Sequence, residues 1–343
     1  MTPGTARSPE QAAGRAGRPD VSVIICAYTE RRWQDTLAAV ASVAAQSYPA
    51  LETILVVDYN PSLYQRLKAE LPAVTVVANN EAPGLSGGKN TGIAIARGDI
   101  VAFLDDDAIA APDWLKFLVD SYTGDDVAGV GGLTLPLWQT ARPSWFPGEF
   151  DWVVGCTYLG MPESGAPMRN LLGGNASFRR EVFATAGGFR SGIGRSGRGL
   201  PAGGEETEFC IRLSQRSPGA VLRSDHRAVI WHRVSDARSR FSYFLTRCYA
   251  EGLSKALVAS NVGASDGLSA ERSHALRALP AGVGHGIADA ARGDETGLGR
   301  AGAIMAGLAA AVAGYCAGLA RAAVHRLPSA GARRSAPAAG AER

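Results

Sequence analysis

Residues 21–28, VSVIICAY, are an unbroken run of apolar and β-branched positions, the pattern of a strand buried on both faces. The next stretch, WQDTLAAVASVAAQ (33–46), carries its apolar residues at helical spacing and stops at SYP. The alternation then repeats. LETILVVD (51–58) predicts a second strand, and SLYQRLKAEL (62–71) predicts a short amphipathic helix ended by Pro72. VTVVAN (74–79) predicts a third strand, KNTGIAIAR (89–97) a helix behind a glycine-rich turn, and DIVAFLDDD (99–107) a fourth strand. Strand–helix alternation with short connections predicts a parallel sheet covered by helices on both faces. In such sheets ligands gather at the carboxyl ends of the strands. Three of these ends are polar or acidic: Tyr28-Thr29-Glu30, Asp58, and Asp105-Asp106-Asp107. The topology therefore places them on one rim.

From about residue 130 the pattern changes. GVGGLTLPLWQTARPSWFPGEFDW is broken by Gly, Pro and Trp and predicts irregular β structure and loops. NASFRREVFATAGGF (175–189) predicts a short strand and then a helix closed by Gly187-Gly188, and six glycines in 191–204 predict a mobile loop. EETEFCIRLSQR (205–216) predicts a helix whose leading acids suit its dipole, and AVIWHRV (228–234) a last short strand carrying His232. The remainder predicts helices. Residues 301–320 hold no charge and are bracketed by Arg300 and Arg321. A helix of that length is about as long as a hydrocarbon core is thick, but its Ala and Gly content disfavours insertion. The expectation is a surface-lying or re-entrant helix, with packing inside the fold as the alternative. Residues 1–19 and 327–343 read as a disordered leader and tail.

Composition adds limits. With 343 residues, 46% of them hydrophobic and 20% charged, the chain has ample material for a core. A net charge of +3 gives no reason to invoke nucleic acid. Five scattered cysteines without a CxxC pair suggest neither a zinc site nor a disulfide framework, so a reducing, cytoplasmic setting is expected.

The triple Asp is the first candidate for chemistry. A solvated acidic turn would show the same letters, but a hard divalent ion such as Mg²⁺ or Mn²⁺ also wants clustered oxygen ligands and often bridges carboxylates to phosphates. VSVIICAYTE, LVVD, GLSGGKNTGIAIARGDIVAFLDDD, GGNASFRREVF, GGEETEFCIRL and WHRV, in that order between residues 20 and 235, resemble the family 2 glycosyltransferases. The resemblance implies the GT-A fold: an α/β, Rossmann-like, mostly parallel sheet flanked by helices, here with a helical C-terminal extension. The implied division is a glycosyltransferase domain over 20–235, with a nucleotide-binding half (20–125) and an acceptor half (126–235). A helical region over 236–326 follows. DWVVGCTYLG and RCYAEGLSKA resemble the subgroup that acts on lipid-linked or peptide-linked acceptors with a glucose or glucuronate donor.

The same resemblance implies roles. Tyr28 lies against the base, Asp58 accepts a hydrogen bond from uracil, and Glu30, Lys89 and Asn90 belong to the nucleotide site. Asp105 touches the ribose and Asp107 binds the metal, with Asp105 and His232 in its shell; Asp106 is solvated. Gly174, Asn175 and Trp152 meet the donor sugar or acceptor. Glu206 is the base that deprotonates the acceptor hydroxyl, and Glu205 holds an acceptor hydroxyl or orients the loop. Glu208 is a helix-face acid. The expected reaction is metal-dependent inverting transfer from a nucleotide diphosphate sugar, UDP-linked, to a polyprenyl-phosphate-linked glycan or similar hydroxyl acceptor. Three alternatives stay open: a peptide or small-molecule acceptor, a nucleotidyltransferase using Arg31 and Arg32, and a non-catalytic sugar-nucleotide binder. Arg238, Arg240 and Arg247, with the 301–320 stretch, suggest peripheral contact with an anionic membrane at its cytoplasmic face. The oligomeric state is unspecified.

Overall fold

The computed structural model describes residues 17–194 and 203–326. The expectations for the leader, the middle of the glycine loop and the tail fall largely or wholly outside these residues. Eight strands form one sheet in the order β3-β2-β1-β4-β7-β6-β8-β5. The parallel half holds β1 (Val21–Ala27), β2 (Glu52–Val57), β3 (Thr75–Ala78) and β4 (Ile100–Asp105). Its helices are α1 (Trp33–Ala44), α2 (Pro61–Glu70) and α3 (Leu85–Ile95). The apolar faces of α1 and α2 close one side of the sheet through Ala39, Val40, Val43, Leu63 and Leu67.

Two sequence expectations need correction here. The glycine-rich turn before Lys89 is the first turn of α3 itself. Gly87 and Gly88 lie inside the helix, which packs hard on the sheet: a β-carbon on Gly88 would meet Cys26 Sγ at 3.2 Å, and one on Gly92, a turn later, would meet Ile24 at 2.7 Å. The segment expected to be irregular holds β6 (Val127–Trp138), a strand of 12 residues. Its glycines do not break it; they let neighbours in, Phe178 against Gly129 and the Asn175 amide against Gly132.

The second half is mixed. β7 (Asn175–Arg179) runs antiparallel to β4 and β6, and β6 runs parallel to β8 (Val221–Val234). β5 (Ala108–Ala110) turns back against β8 with Ala108 opposite His232. That register carries a histidine distant in sequence to the end of the triple Asp. Between them come α4 (Trp114–Asp120), α5 (Val182–Ala186) and α6 (Glu205–Arg216), the last starting at Gly204 with φ +100°.

Beyond the sheet lie α7 (Phe241–Val262), α8 (Leu279–Ala291) and α9 (Thr296–Arg326), with short helical turns over 264–278. Glycines let these helices touch backbone to backbone. Gly252 of α7 lies under the Ala311 carbonyl of α9, Gly314 of α9 meets the Tyr249 carbonyl, and Gly286 of α8 meets the Gly297 carbonyl. So α9 packs one narrow face. Only 22% of its apolar window is buried, and Leu298, Met305, Val312 and Leu319, spaced by seven, stay exposed. It is long and apolar enough to cross a membrane by length and composition.

Candidate active site

The carboxyl ends of β1, β2 and β4, the start of α6 and the face of α7 enclose a cavity of about 700 Å³. Tyr28, Asp58, Lys89, Asp105, Asp107, Trp152, Gly174, Glu205 and Glu206 all line it. Tyr28 is half exposed at its mouth. Asp58 is fixed by the Asn79 amide at 2.7 Å and the Gly84 backbone N–H at 3.0 Å, which leaves lone pairs of its carboxylate facing the cavity.

The acidic rim is more heavily charged with cations than the sequence shows. Asp105, Asp107 and His232 offer ligand atoms within 4.8 Å of one another. His232 Nε2 stands 3.2 Å from Asp107 Oδ1 and 3.8 Å from Asp105 Oδ2, reaching them from within the protein. The other oxygen, Asp107 Oδ2, receives Arg32 at 2.9 Å and Arg238 at 3.4 Å. Burial alone would raise the Asp107 pKa, but His232 and the two arginines hold it well below the carboxylate range. Two carboxylates and an imidazole suit Mn²⁺ or Mg²⁺ as a donor set. The division of labour also fits: one Asp107 oxygen faces His232 and Asp105 while its partner is held by guanidinium.

Several site expectations meet a different geometry. Asp106, expected in solvent, is buried on Arg32, whose Nη1 donates to Oδ1 at 2.6 Å. Asn175 is fully buried: Trp114 Nε1 donates to its Oδ1 at 2.7 Å, and its Nδ2 donates to the Leu133 and Ala228 carbonyls. It braces the sheet and has nothing left for a sugar. Asn90 is tied to the Phe189 backbone through both ends of its amide at 2.8 Å. Glu30 is exposed and bonded to Asn60, outside the cavity lining. Lys89 lines the cavity, but its Nζ is paired with Glu205 at 3.2 Å. Glu208 is fully buried and chelated by Arg212 at 2.8 and 2.9 Å, so it is no surface acid. Arg238 and Arg247, expected to face a membrane, are buried at the cavity.

The two acids opening α6 differ in character. Burial works against Glu205 too, but Lys89 beside it keeps its pKa low and its carboxylate charged. Burial and the adjacent Glu205 charge push Glu206 up to about 8. Its Oε2 is buried without a hydrogen-bond partner. Gly173 and Gly174 pass directly over this floor, Gly174 against Asp105 and Gly173 against Glu206 and Lys89.

Residues 22–187 match the family described as Glycosyl transferase family 2. Over 240 residues the chain is 36% identical to the glucosyl-dolichyl phosphate glucuronosyltransferase of Haloferax volcanii, covering 68% of this chain and 76% of that protein. The chain belongs to glycosyl transferase family 2. A second relative of this glycosyltransferase, the succinoglycan biosynthesis protein ExoM of Rhizobium meliloti, is 24% identical over 75% of this chain and 77% of its own. Among solved structures, a mannosyltransferase from Pyrobaculum calidifontis in complex with GDP-Man and Mn²⁺ superposes with a TM-score of 0.54. It shares 21% identity and covers 89% of this chain and 88% of its own, so the family 2 chain has the GT-A fold along most of its length.

Sequence reasoning missed Arg32 and Arg238 as partners of Asp107. Arg32 stands in the ERRW turn straight after β1 and was a visible cation at the rim. Arg238 carried no local signal, because it reaches Asp107 from 131 residues away.

Proposed function

We propose that this glycosyltransferase works by metal-dependent inversion, moving a sugar, glucose or glucuronate, from a UDP-type nucleotide diphosphate sugar to a hydroxyl of a polyprenyl-phosphate-linked glycan. One observation carries this reading. A donor set for a divalent ion (Asp105, Asp107 and His232) and a partner-less buried carboxyl (Glu206 Oε2) belong to the same closed-in region and are joined by the Gly173-Gly174 strap. The name of the Haloferax relative supports the lipid-linked acceptor and the glucuronosyl donor.

When bound, a divalent ion neutralises the diphosphate as it leaves. Tyr28 and Asp58 hold the base at the mouth of the cavity. Arg32 and Arg238 keep Asp107 ionised and fixed in orientation. Glu206 takes the proton of the acceptor hydroxyl as that oxygen attacks the anomeric carbon from the side opposite the diphosphate. With its pKa pushed up to about 8, the carboxylate that does this is the minor form at neutral pH and a stronger proton acceptor than an ordinary carboxylate. Glu205, locked on Lys89, holds its neighbour in place. The exposed apolar face of α9 supports peripheral attachment to a membrane, placed on this reading at its cytoplasmic face.

The test is a screen of sugar nucleotides with Mn²⁺ by thermal shift, followed by product analysis with an isoprenyl-phosphate-linked sugar. Free nucleoside diphosphate with a disaccharide on the lipid is expected. Release of pyrophosphate, or donor binding with no turnover on any lipid-linked acceptor, overturns the reading.

A further inference from the structure

Beyond Glu206 the cavity continues into a second lobe between α7, α8 and α9 that the transfer chemistry does not use. Its polar side is a chain of ion pairs. Arg169 chelates Glu271 at 2.5 and 2.7 Å. Lys255 bridges Glu271 at 2.7 Å and Glu251 at 3.2 Å, and Arg247 meets Glu251 at 2.7 Å. Three cations thus share two carboxylates, and Arg272 adds a fourth, exposed, at the lip. Arg247 and Lys255 are more than nine-tenths buried, and Arg247 Nε has no hydrogen-bond partner. Glu206 also acts on Arg247 electrostatically, yet Arg247 Nε is left without a partner. An uncompensated buried cation is costly unless an anion joins it. The opposite side is apolar, built from Ala275, Leu279, Leu308, Ala311 and Val312. Val312 is also exposed on the outer face of α9, so the lobe opens where that apolar stripe runs.

We propose that this lobe is the acceptor's lipid-phosphate subsite: Arg247, Lys255 and Arg169 seat the phosphate ester, and the α8–α9 wall takes the first isoprenoid units. Guanidinium and ammonium groups pair well with phosphate oxygens, and the chain leaves toward the exposed stripe. Arg247 and Glu206 both line the cavity and interact electrostatically, so a phosphate on Arg247 and a hydroxyl at Glu206 belong to one acceptor. This rests on the reading of the cavity as a glycosyl-transfer site.

The test uses the full chain without donor or metal and follows farnesyl phosphate binding by calorimetry and by tryptophan fluorescence, since Arg247 stacks over Trp152 at 5.5 Å. Farnesyl phosphate is expected to bind, with farnesol and inorganic phosphate each roughly tenfold weaker or worse. Arg247→Met and Lys255→Met should each weaken farnesyl phosphate by about tenfold, and Arg247→Lys should restore most of it. Farnesol binding as well as farnesyl phosphate overturns the anion seat, and inorganic phosphate binding as well overturns the lipid. These two comparisons need only the native chain, so they decide even where a variant does not fold. Unchanged binding in both Met variants also overturns it. Sugar-nucleotide binding with Mn²⁺ is measured alongside. If it persists while farnesyl phosphate fails, the subsite alone falls; if the sugar nucleotide also fails, the transfer reading falls with it.

Discussion

Asp105 and Glu206 press on consecutive glycines. A β-carbon on Gly174 would run into the Asp105 carboxylate, and one on Gly173 would stand 3.2 Å from Glu206 Cδ. Adjacent Cα atoms are about 3.8 Å apart, so one short strap spaces the metal-side acid from the proposed base. Gly174→Ala must displace Asp105, since the three atoms nearest the new carbon are all of the Asp105 carboxylate. Transfer is expected to fall by about a hundredfold, the scale of an ångström-sized misplacement, with circular dichroism unchanged. Normal turnover would show that Asp105 need not sit where it does.

Glu206→Gln separates base from binding. Transfer should fall by about 10²–10⁴-fold, while donor affinity by calorimetry stays within a few-fold. A variant with near-native turnover removes Glu206 from the base role. Stability gives an independent reading. The folded chain keeps the Glu206 proton up to about pH 8, and the unfolded chain releases it near the ordinary glutamate value of 4.5. Between those values the folded form binds the extra proton, so native stability declines as pH rises. Gln has no such proton to lose. The melting temperature of the variant should therefore exceed that of the native chain by a margin that widens from about pH 5 to about pH 8, at roughly 2–4 °C per kcal/mol.

Lys89→Met strands Glu205 as a buried charge without its partner. Breaking a buried pair from one side costs about 3–5 kcal/mol, which thermal unfolding will register. Adding Glu205→Gln removes the orphan charge and should recover most of the loss. A single variant as stable as the native chain would mean that Glu205 is not held by Lys89.

Asp107→Ala tests the metal site without relying on activity. Saturating UDP with Mn²⁺ should stabilise the native chain by about 2.7 kcal/mol at a hundredfold excess over Kd. The variant should lose the Mn²⁺-dependent part of that shift, as should the native chain treated with a chelator. A Mn²⁺-dependent shift that survives in the variant places the ion elsewhere.

Met305→Glu and Leu319→Glu put charge on the exposed stripe of α9 outside the cavity lining. Flotation with anionic vesicles should recover the native chain and lose the double variant. Salt should weaken a peripheral attachment; resistance to both salt and carbonate would indicate insertion instead.

The α/β architecture was legible along the chain because burial periodicity is a local property. VSVIICAY, LETILVVD and VAFLDDD declare strands ending in polar residues, and parallel strands bring such ends to one rim. EETEFCIRL declared its helix to the residue. The glycines misled in both directions: those of α3 and β6 look like breakers in sequence, yet they sit where a neighbour's atoms leave no room for a β-carbon. Tertiary structure alone decided the charges at the site. Asp106 looked solvated until Arg32 covered it, Asn90 and Asn175 looked like ligands until backbone groups and Trp114 claimed them, and Arg238 and Arg247 looked like surface cations until the α7 region folded over the rim. The partners of Asp106, Asn90, Asn175 and Arg238 lie 42 to 131 residues away, and whether a charge is buried, paired or free depends on such partners, which no local pattern records.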